Sequence, residues 1–498
     1  MSARKNLNAI KLAAIGCTSA IALNATPSSA QVACTTDLLG VLNCTAPTPA
    51  PPTPPSGTID LDAFVQPVVV ALPPEFESTV GALINTSGPI TITGDAVIDT
   101  LLDDEPALEL ISGADIDAQV GRLTTIGDNS TGALLRAVDG VILSVDDLVS
   151  TLGDNSDGVN IQAGEATVSL DEVRTVGVNS QGVEIVTVSG PAVLNANLIE
   201  TIGTGSTAAF LTAAGQIGLD VGLLRTQGDQ ALGLNLQSDP ALCATLGAGS
   251  CDIDAVVGTI TTDGFGSIGA LVTAAGETTL TADVIQTNGI EAAGIDLRAD
   301  PTACVALGVG SCDQAFTVNN LTTTGARSPG AVIRAVGDVD GSIGVLSTDG
   351  EDSVGIDLAS DPTACASLGA GGCENALSVG QLTTNGDGAI GALIRAAGPT
   401  TADIGILETF GDNATGIDLA ADPTACVLLG VGQCTTAITA DRISTGGDGA
   451  AGALIAAPAD ITGDFGTVET LGANAPGIDI SSDPAACLLL GTAPAIRR

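Results

Sequence analysis

The sequence predicts an all-β fold, a parallel β-solenoid with coils of about 25 residues, and three observations carry that prediction. A phrase of the form L-x-T-x-G-(x)4-G-A/I-x-L/I recurs 13 times between Gly127 and Gly472. Its steps are 24 to 26 or 36 residues long, and the longer step is the shorter one plus an 11-residue insertion. Within each copy, apolar and polar residues alternate, which is the period of a strand.

Equivalent positions of the repeats should stack along the axis, because neighbouring coils lie about 4.8 Å apart. The phrase begins with Leu, Val or Ile in every copy, and Thr follows two residues later, from Thr125 to Thr470. We expect both positions to point inward, and the stacked threonine hydroxyls to pass hydrogen bonds along the axis. With two degenerate coils near Gly81 and Thr100, the repeats predict a rod about 70 Å long.

The N-terminus has the features of a secretory signal over residues 1–30. Three basic residues accompany an apolar stretch over 12–23, and Ser28-Ser29-Ala30 offers a small-x-small cleavage site. The chain is therefore predicted to be exported, to the extracellular space or the cell surface, with the periplasm as an alternative. No other stretch is apolar over about 18 residues, so we expect no membrane span in the mature chain.

Four segments follow the signal in the predicted mature chain. They are residues 31–57 (a small segment joined by a Cys34–Cys44 disulfide, then a Pro-rich linker), 58–80 (an N-terminal cap), 81–232 (simple coils) and 233–498 (double-coil repeats of 61 residues). The linker reads TAPTPAPPTPPSG, which favours a polyproline II spacer. A cap is expected because the first coil would otherwise expose a sheet edge.

The insertion contains the phrase GIDLRADPTACVALGVGSC at residues 294–312, and related phrases occur every 61 residues along the chain. Asp300 suits a helix N-cap, Pro301 the first helical position, and Gly308 the left-handed position after the last turn. The phrase thus predicts a helix of one to two turns in a side loop.

Each complete phrase carries two cysteines eight residues apart, which predicts a disulfide in every loop. The predicted pairs are Cys243–Cys251, Cys304–Cys312, Cys365–Cys373 and Cys426–Cys434. A zinc site would need four ligands around one ion, whereas successive pairs sit about 9.6 Å apart and the chain has no His. We expect the disulfide to pin a protruding helical loop onto every second coil.

The last repeat is incomplete. Cys487 is left unpaired, because residue 495, where its partner should stand, is Ala. The chain stops at Arg498 within a unit, and we expect it to be a shortened version of a longer sequence. A bond from Cys487 to another chain is the alternative.

Charge and composition limit the function. The chain has 57 acidic and 14 basic residues, and loss of Arg4, Lys5 and Lys11 with the signal would leave a net charge of −46. Such a charge argues against nucleic acid and anionic membranes as partners. Without Lys, His or Tyr in the mature chain, general acid–base chemistry is left to Asp and Glu, which disfavours an enzyme. We assign no catalytic residue and no cofactor.

An outward column alternates between aspartate and aliphatic residues: Leu271, Asp296, Val332, Asp357, Leu393, Asp418, Leu454 and Asp479. Arg334 and Arg395 lie two residues beyond this column, within reach of its carboxylates. The column is either a ladder of weak surface ion pairs or a calcium-assisted polysaccharide lyase site, in which Arg removes a proton. Repetition along the chain favours the ladder, because a catalytic site occurs once.

Calcium without catalysis is a further alternative. Asp128, Asp154, Asp412 and Asp448 follow their turn glycines, and stacked carboxylates would repel unless a hard cation lay between them. Turn chemistry alone also explains Gly-Asp sequences, and the tandem calcium-binding nonapeptide is absent.

The phrases GDNSTGALL (127–135), GDNSDGVNI (153–161) and GDNATGIDL (411–419) resemble the passenger regions of autotransporters and related surface adhesins of Gram-negative bacteria. The resemblance implies a right-handed β-helix that is exported and then displayed or released. The C-terminus departs from this family, because no translocator barrel is predicted before Arg498. Release, a periplasmic location and a truncated reading frame are therefore all alternatives to self-display.

The main hypothesis is a non-enzymatic structural or adhesive rod. Its side loops would contact a cell-surface or extracellular-matrix ligand, or a second copy of the chain. The alternatives are a β-helical polysaccharide-active enzyme of the lyase type and a truncated autotransporter fragment with no independent function.

Overall fold

The computed structural model describes 81–246, 251–308, 312–369, 373–422, 435–457 and 460–482, with short stretches at 21–22, 33–36, 42–45, 60–63, 67–71, 77–78, 428 and 496–497. It is an all-β parallel solenoid with coils of about 25 residues and short helical loops, as predicted. The chain forms two compact units, Met1–Ser206 and Thr207–Arg498. Their division lies about one coil before the boundary at 232/233 that the repeats suggest.

In the described residues of the first unit, the regular elements are all strands. They are β1 (Ile21–Ala22), β2 (Ala33–Thr36), β3 (Leu42–Thr45), β4 (Asp60–Ala63), β5 (Val68–Ala71), β6 (Glu77–Ser78), β7 (Ala82–Thr86), β8 (Ile90–Thr93), β9 (Val97–Thr100), β10 (Leu108–Ser112), β11 (Ile116–Val120), β12 (Arg122–Ile126), β13 (Ala133–Ala137), β14 (Gly140–Leu152), β15 (Val159–Ala163), β16 (Glu165–Val176), β17 (Val183–Thr187) and β18 (Ala192–Ile202). Short and long strands alternate from β13 onward, so each coil contains one of each.

The second unit continues this alternation and adds the helices. Its elements are β19 (Thr207–Ala213), β20 (Ile217–Gln227), β21 (Leu232–Ser238), α1 (Pro240–Leu246), β22 (Ile253–Asp263), β23 (Ile268–Ala274), β24 (Thr278–Asn288), β25 (Ala293–Ala299), α2 (Pro301–Leu307), β26 (Gln314–Thr324), β27 (Ala331–Ala335), β28 (Val339–Asp349), β29 (Val354–Ser360), α3 (Pro362–Leu368), β30 (Asn375–Asn385), β31 (Ile390–Ala396), β32 (Thr400–Phe410), β33 (Thr415–Ala421), β34 (Thr436–Gly446), β35 (Ala451–Ala457), β36 (Ile461–Thr470), β37 (Ile478–Ser482) and β38 (Ile496–Arg497). Each described helix follows a short strand. None of the helices in the described ranges is long and apolar enough to cross a bilayer.

Parallel pairing keeps equivalent residues in register from coil to coil. Thr287 pairs with Thr323, 36 residues later, and Thr323 pairs with Thr348, 25 residues later. The extra residues of the longer step lie between the short and the long strand, where α2 stands outside both ladders. An insertion therefore changes the loop and leaves the stacking of the coil unchanged.

Each long strand bends once and covers two sides of its coil. In β16 the inward side chains are Ala166, Val168 and Leu170, and then Val173 and Thr175, so the alternation skips one place. Asp171 and Glu172 both lie outside at the bend. Together with the short strand, the long strand encloses a three-sided core.

The inward columns are aliphatic, with one threonine column among them. The predicted threonines are buried in 12 of the 13 copies, from Thr125 to Thr445, while Thr470 in the last copy is partly exposed. Phe316 is the largest fully buried side chain, and the next coil places Gly341 over it, where a Cβ would lie 2.2 Å from the ring. The ring of Phe316 thus fills space that the following coil leaves open by having glycine at position 341.

The expected axial threonine ladder does not form. In five of the 13 copies the hydroxyl donates to a carbonyl oxygen five residues later in its own coil (Thr125, Thr151, Thr175, Thr323 and Thr470), and in the other eight the buried hydroxyl has no hydrogen-bond partner. The Thr125 hydroxyl donates to the carbonyl oxygen of Ser130, 2.6 Å away in the same turn. Serines at the turn make the axial bonds: Ser156 Oγ donates to Gly127 O at 2.9 Å and accepts from the Ser130 N–H at 3.0 Å. The inward position of the threonines was predicted correctly, but the axial hydrogen bonds are made by the turn serines.

Glycine is required at the turns because the backbone of a neighbouring coil lies too close for a side chain. At Gly325 the backbone has φ +122°, and a Cβ would lie 2.1 Å from the carbonyl oxygen of Gly289. Gly308, at the end of α2, has φ +97°, but no atom lies within 4 Å of its would-be Cβ. The two positions share the conformational requirement and differ in steric contact.

We predict that Gly325→Ala lowers the free energy of unfolding by about 3 kcal/mol, because it adds a backbone clash to the cost of the left-handed conformation. Gly308→Ala is the matched control and should cost only about 1 kcal/mol. Urea unfolding followed by far-ultraviolet circular dichroism measures both changes. Equal effects of the two substitutions would show that contact with the neighbouring coil is not the reason for glycine at position 325.

Candidate functional site

The helices have the caps that the sequence predicts. Asp300 accepts a hydrogen bond from the Ala303 N–H at 2.8 Å, Pro301 takes the first helical position, and the Gly308 N–H donates to Cys304 O at 2.9 Å. Asp361 caps α3 in the same way. These polar caps fix seven-residue helices that would be too short to persist alone.

Disulfides join the predicted pairs Cys243–Cys251, Cys304–Cys312 and Cys365–Cys373, with Cα atoms 5.6 to 5.7 Å apart. All six cysteines are buried. The predicted pair Cys426–Cys434 and the unpaired Cys487 lie outside the described residues. Cys34 and Cys44 face each other in the antiparallel pair β2–β3, but their side chains are also outside the described part.

The helices of successive loops stack on one another, a contact that the repeat spacing alone did not predict. Helix α2 contacts both α1 and α3. Ala303 of α2 packs with Ala275 against the Cys243–Cys251 disulfide, and Ala364 of α3 packs against the Cys304–Cys312 disulfide. Helices α1, α2 and α3 therefore form a continuous layer, here termed the helix column.

The exposed helix residues of the helix column are uncharged, and the partly exposed caps Asp239, Asp300 and Asp361 lie at the N-terminal ends of the helices. The exposed helix residues are Pro240, Ala241, Leu242, Thr245, Pro301, Thr302, Val305, Ala306, Thr363 and Ser367. In a chain with a net charge of −43, a surface whose exposed helix residues are uncharged and partly apolar repels an anionic molecule less than the rest of the chain does. The helix column is therefore the first candidate contact surface.

The outward face of the short strands carries the predicted ion pairs. Arg334 Nη2 lies 2.5 Å from Asp357 Oδ2, and Arg395 Nη2 lies 2.9 Å from Asp418 Oδ2. Each guanidinium also donates to the backbone carbonyl of its aspartate, so the same arrangement occurs twice, 61 residues apart. Arg298 instead pairs with Asp296 of its own strand, at 2.6 Å.

These pairs form a ladder of separate units. Val332 lies between Asp296 and Asp357 in the register, so successive carboxylates of the column are two coils, about 9.6 Å, apart. The arginines are about half exposed, and such pairs contribute roughly 0–1 kcal/mol each. Within the described ranges, no three His, Cys, Asp or Glu side chains lie close enough together to hold a metal ion.

The calcium candidates form axial hydrogen bonds with backbone groups. Asp128 Oδ1 accepts from the Asp154 N–H, and Asp154 Oδ1 accepts from the Val178 N–H, at 2.9 and 2.8 Å. Asp412 and Asp448 do the same for the turns that follow them. These carboxylates therefore align each turn with the next, a role that the Gly-Asp pattern alone does not reveal.

Two carboxylates share one amide on the first unit. Asn160 Nδ2 donates to Asp157 Oδ2 at 2.9 Å and to Glu184 Oε2 at 2.7 Å, and the Gln181 N–H donates to Asp157 at 2.8 Å. Burial raises the pKa of Asp157 above its ordinary value, against these hydrogen bonds. Burial, and then the charge of Asp157, raise the pKa of Glu184. This cluster has no signature in the repeat pattern, because its acids occupy different positions of two coils.

These features define a parallel β-solenoid whose loops are fastened by disulfides and stacked on alternate coils. No protein-family profile matches the chain, and no curated protein or solved structure is similar to it at a significant level.

We predict that Glu184→Gln stabilises the protein near neutral pH and has no effect at low pH. Because the folded pKa of Glu184 is raised, its stabilising protonation is complete below the ordinary value of 4.5 and is lost as the pH rises through the folded value. Urea unfolding from pH 4 to pH 7 should therefore show a gap that widens with pH. Asp357→Asn, which removes a carboxylate paired with Arg334, should instead destabilise near neutrality. A gap independent of pH would contradict the assignment.

We also predict that Ala303→Asp separates the helices and exposes the disulfide beneath. The buried charge should cost about 3 kcal/mol and speed the reduction of Cys243–Cys251 by dithiothreitol. Thr302→Asp places the same group one residue earlier on the exposed side and should leave the rate unchanged. Mass spectrometry of alkylated peptides measures reduction at each pair. The same rate in both variants would show that the helices do not protect the disulfide.

Proposed function

We propose that the protein is an exported, non-enzymatic structural or adhesive β-solenoid whose helix column supplies the contact surface. The observation that carries this proposal is the stacking of α1, α2 and α3 over buried disulfides. Together they present a surface of uncharged helix residues that recurs on every second coil. Repetition of one contact is the usual route from weak single contacts to firm attachment.

The disulfides support export. Small rings of this kind form and persist in oxidising compartments and are rare where thiols are kept reduced. Each ring contributes about 2.5 kcal/mol in the chain-entropy model, and burial of the sulfurs slows their reduction. The signal-like residues 1–30 and the resemblance to autotransporter passengers point the same way. We therefore place the mature chain outside the cell or on its surface.

The distribution of charged side chains supports a non-enzymatic role. The pairs Arg334–Asp357 and Arg395–Asp418 repeat one geometry, whereas a catalytic site brings different groups together once. Each Arg–Asp pair has no net charge, and its regular repetition is typical of a structural surface. Fitting ligands are a cell-surface or matrix molecule, or a second copy of the chain.

We predict that charges on the helix column abolish attachment. Beads coated with the oxidised protein are tested on plates coated with collagen, fibronectin or the protein itself. Leu242→Asp combined with Val305→Asp should lower bead retention at least about tenfold on the surface that binds, because both side chains are exposed on the column. The matched control combines Val138→Asp and Val188→Asp, which are exposed elsewhere.

Retention that the helix variant does not change would contradict the column as the contact surface. Failure to find a mature N-terminus after Ala30 in the exported fraction would contradict the export route.

The rival hypothesis, a polysaccharide-active enzyme, is favoured by one observation. Asp157 and Glu184 form a carboxyl pair with raised pKa values, and paired carboxyls serve proton transfer in glycan cleavage. Incubation with polygalacturonate or alginate, followed by assays for unsaturated and reducing ends, tests it. New ends that disappear with Glu184→Gln would replace our proposal.

A further inference from the structure

An exposed aliphatic stripe runs along the first unit. Its residues precede the turn on successive coils, and their side chains are 39 to 63% exposed: Leu101, Ile126, Leu152, Val176 and Ile202. The register places Ile126 beside Leu152, Leu152 beside Val176, and Val176 beside Ile202. Five large apolar side chains in one continuous line are more than the scattered single exposures of an ordinary surface.

The coil itself does not need apolar residues at this position. In the second unit, six of the nine equivalent positions are polar, namely Gln227, Asp263, Asn288, Thr324, Asp349 and Asn385, and the other three are Phe410, Gly446 and Leu471. Those polar residues occupy the same strand geometry and the same register. The stripe is therefore a property of the surface of the first unit and suits a binding function.

The stripe borders a row of acidic side chains. Asp103, Asp128 and Asp154 come two residues after the stripe residue of their coils and are exposed, and each accepts one axial backbone hydrogen bond. On the other side of the stripe, Arg122 pairs with Asp99 and Arg174 pairs with glutamates. A complementary partner must therefore combine an apolar line with a cationic one.

A second copy of the chain does not offer that combination. The predicted mature chain has 11 arginines against 57 acidic residues and no lysine, so two copies would bring like charges together along the stripe. The acidic row therefore favours a cationic partner over self-association.

The axial spacing of the stripe residues favours one conformation of the partner, the α-helix. Four intervals of about 4.8 Å give the stripe a length of about 19 Å. Four turns of an α-helix advance about 22 Å, which matches within one side-chain width. Same-face residues of an extended strand would advance about 27 Å over four intervals and lose register. A helix lying along the axis thus places one apolar turn on each coil.

We propose that the aliphatic stripe and its acidic row bind a cationic amphipathic helix. The helix lies parallel to the solenoid axis, with its apolar face on Ile126, Leu152, Val176 and Ile202. Its basic residues lie beside Asp128 and Asp154. This surface belongs to the first unit and is independent of the helix column.

The test uses the full oxidised chain and a synthetic helical peptide of about 14 residues, with leucines at spacings of three and four and lysines elsewhere. A variant replaces the stripe with residues of the kinds found in the second unit: Ile126→Thr, Leu152→Asn, Val176→Thr and Ile202→Gln. We expect calorimetry to show binding that this variant weakens at least about tenfold. The control, Val138→Thr with Val188→Thr, should bind like the original protein.

Three outcomes would overturn the proposal. Equal affinity of the peptide for the original and the stripe variant would show attraction by net charge alone. Equal binding of a peptide with glutamates in place of lysines would show that the acidic row has no part. A dimer in sedimentation that the stripe variant makes monomeric would assign the stripe to a second copy. Matching melting temperatures of the variants keep each outcome interpretable.

Discussion

Axial register is the constraint on which the rest of the structure depends. Each coil hydrogen-bonds to the next through strands and turns, as in the bond from the Gly350 N–H to Asn385 O at 2.7 Å. Each side chain must therefore pack against the side chains at the equivalent position of the coils above and below. This requirement explains the monotony of the inward columns, the turn glycines and the scarcity of aromatic residues, because any change recurs as a contact above and below.

Insertions are tolerated where they leave that register intact. The helical loops enter between a short and a long strand, and the long strands on either side of α2 still pair Thr287 with Thr323. The loops occur on alternate coils, where the helices are near enough to contact one another and the disulfides fill the space between them. Because the coils stack, the helices outside them also stack. The disulfides pack between successive helices and also hold each loop closed.

The sequence was sufficient for what repeats. Period, strand character, the inward position of Thr151, the helix caps and the described disulfides all follow from columns that recur. It was insufficient for contacts that depend on neighbouring coils. The bend at Asp171, the axial bonds of Ser156 and the seating of Ala303 on a disulfide require the distance between coils, which a single repeat does not contain. The amide that joins Asp157 to Glu184 occurs once, so no periodicity reports it.

Since register fixes the interior, functional differences must lie in the outward columns. An outward side chain meets solvent and only two equivalent neighbours, so substitution there costs little and can vary from coil to coil. The position before the turn illustrates this, being Leu152 or Val176 in the first unit and Asp263 or Asn288 in the second. A line of like residues at such a tolerant position requires a cause outside the fold. Binding to a partner whose own repeat matches the coil spacing, such as an α-helix, would supply that cause.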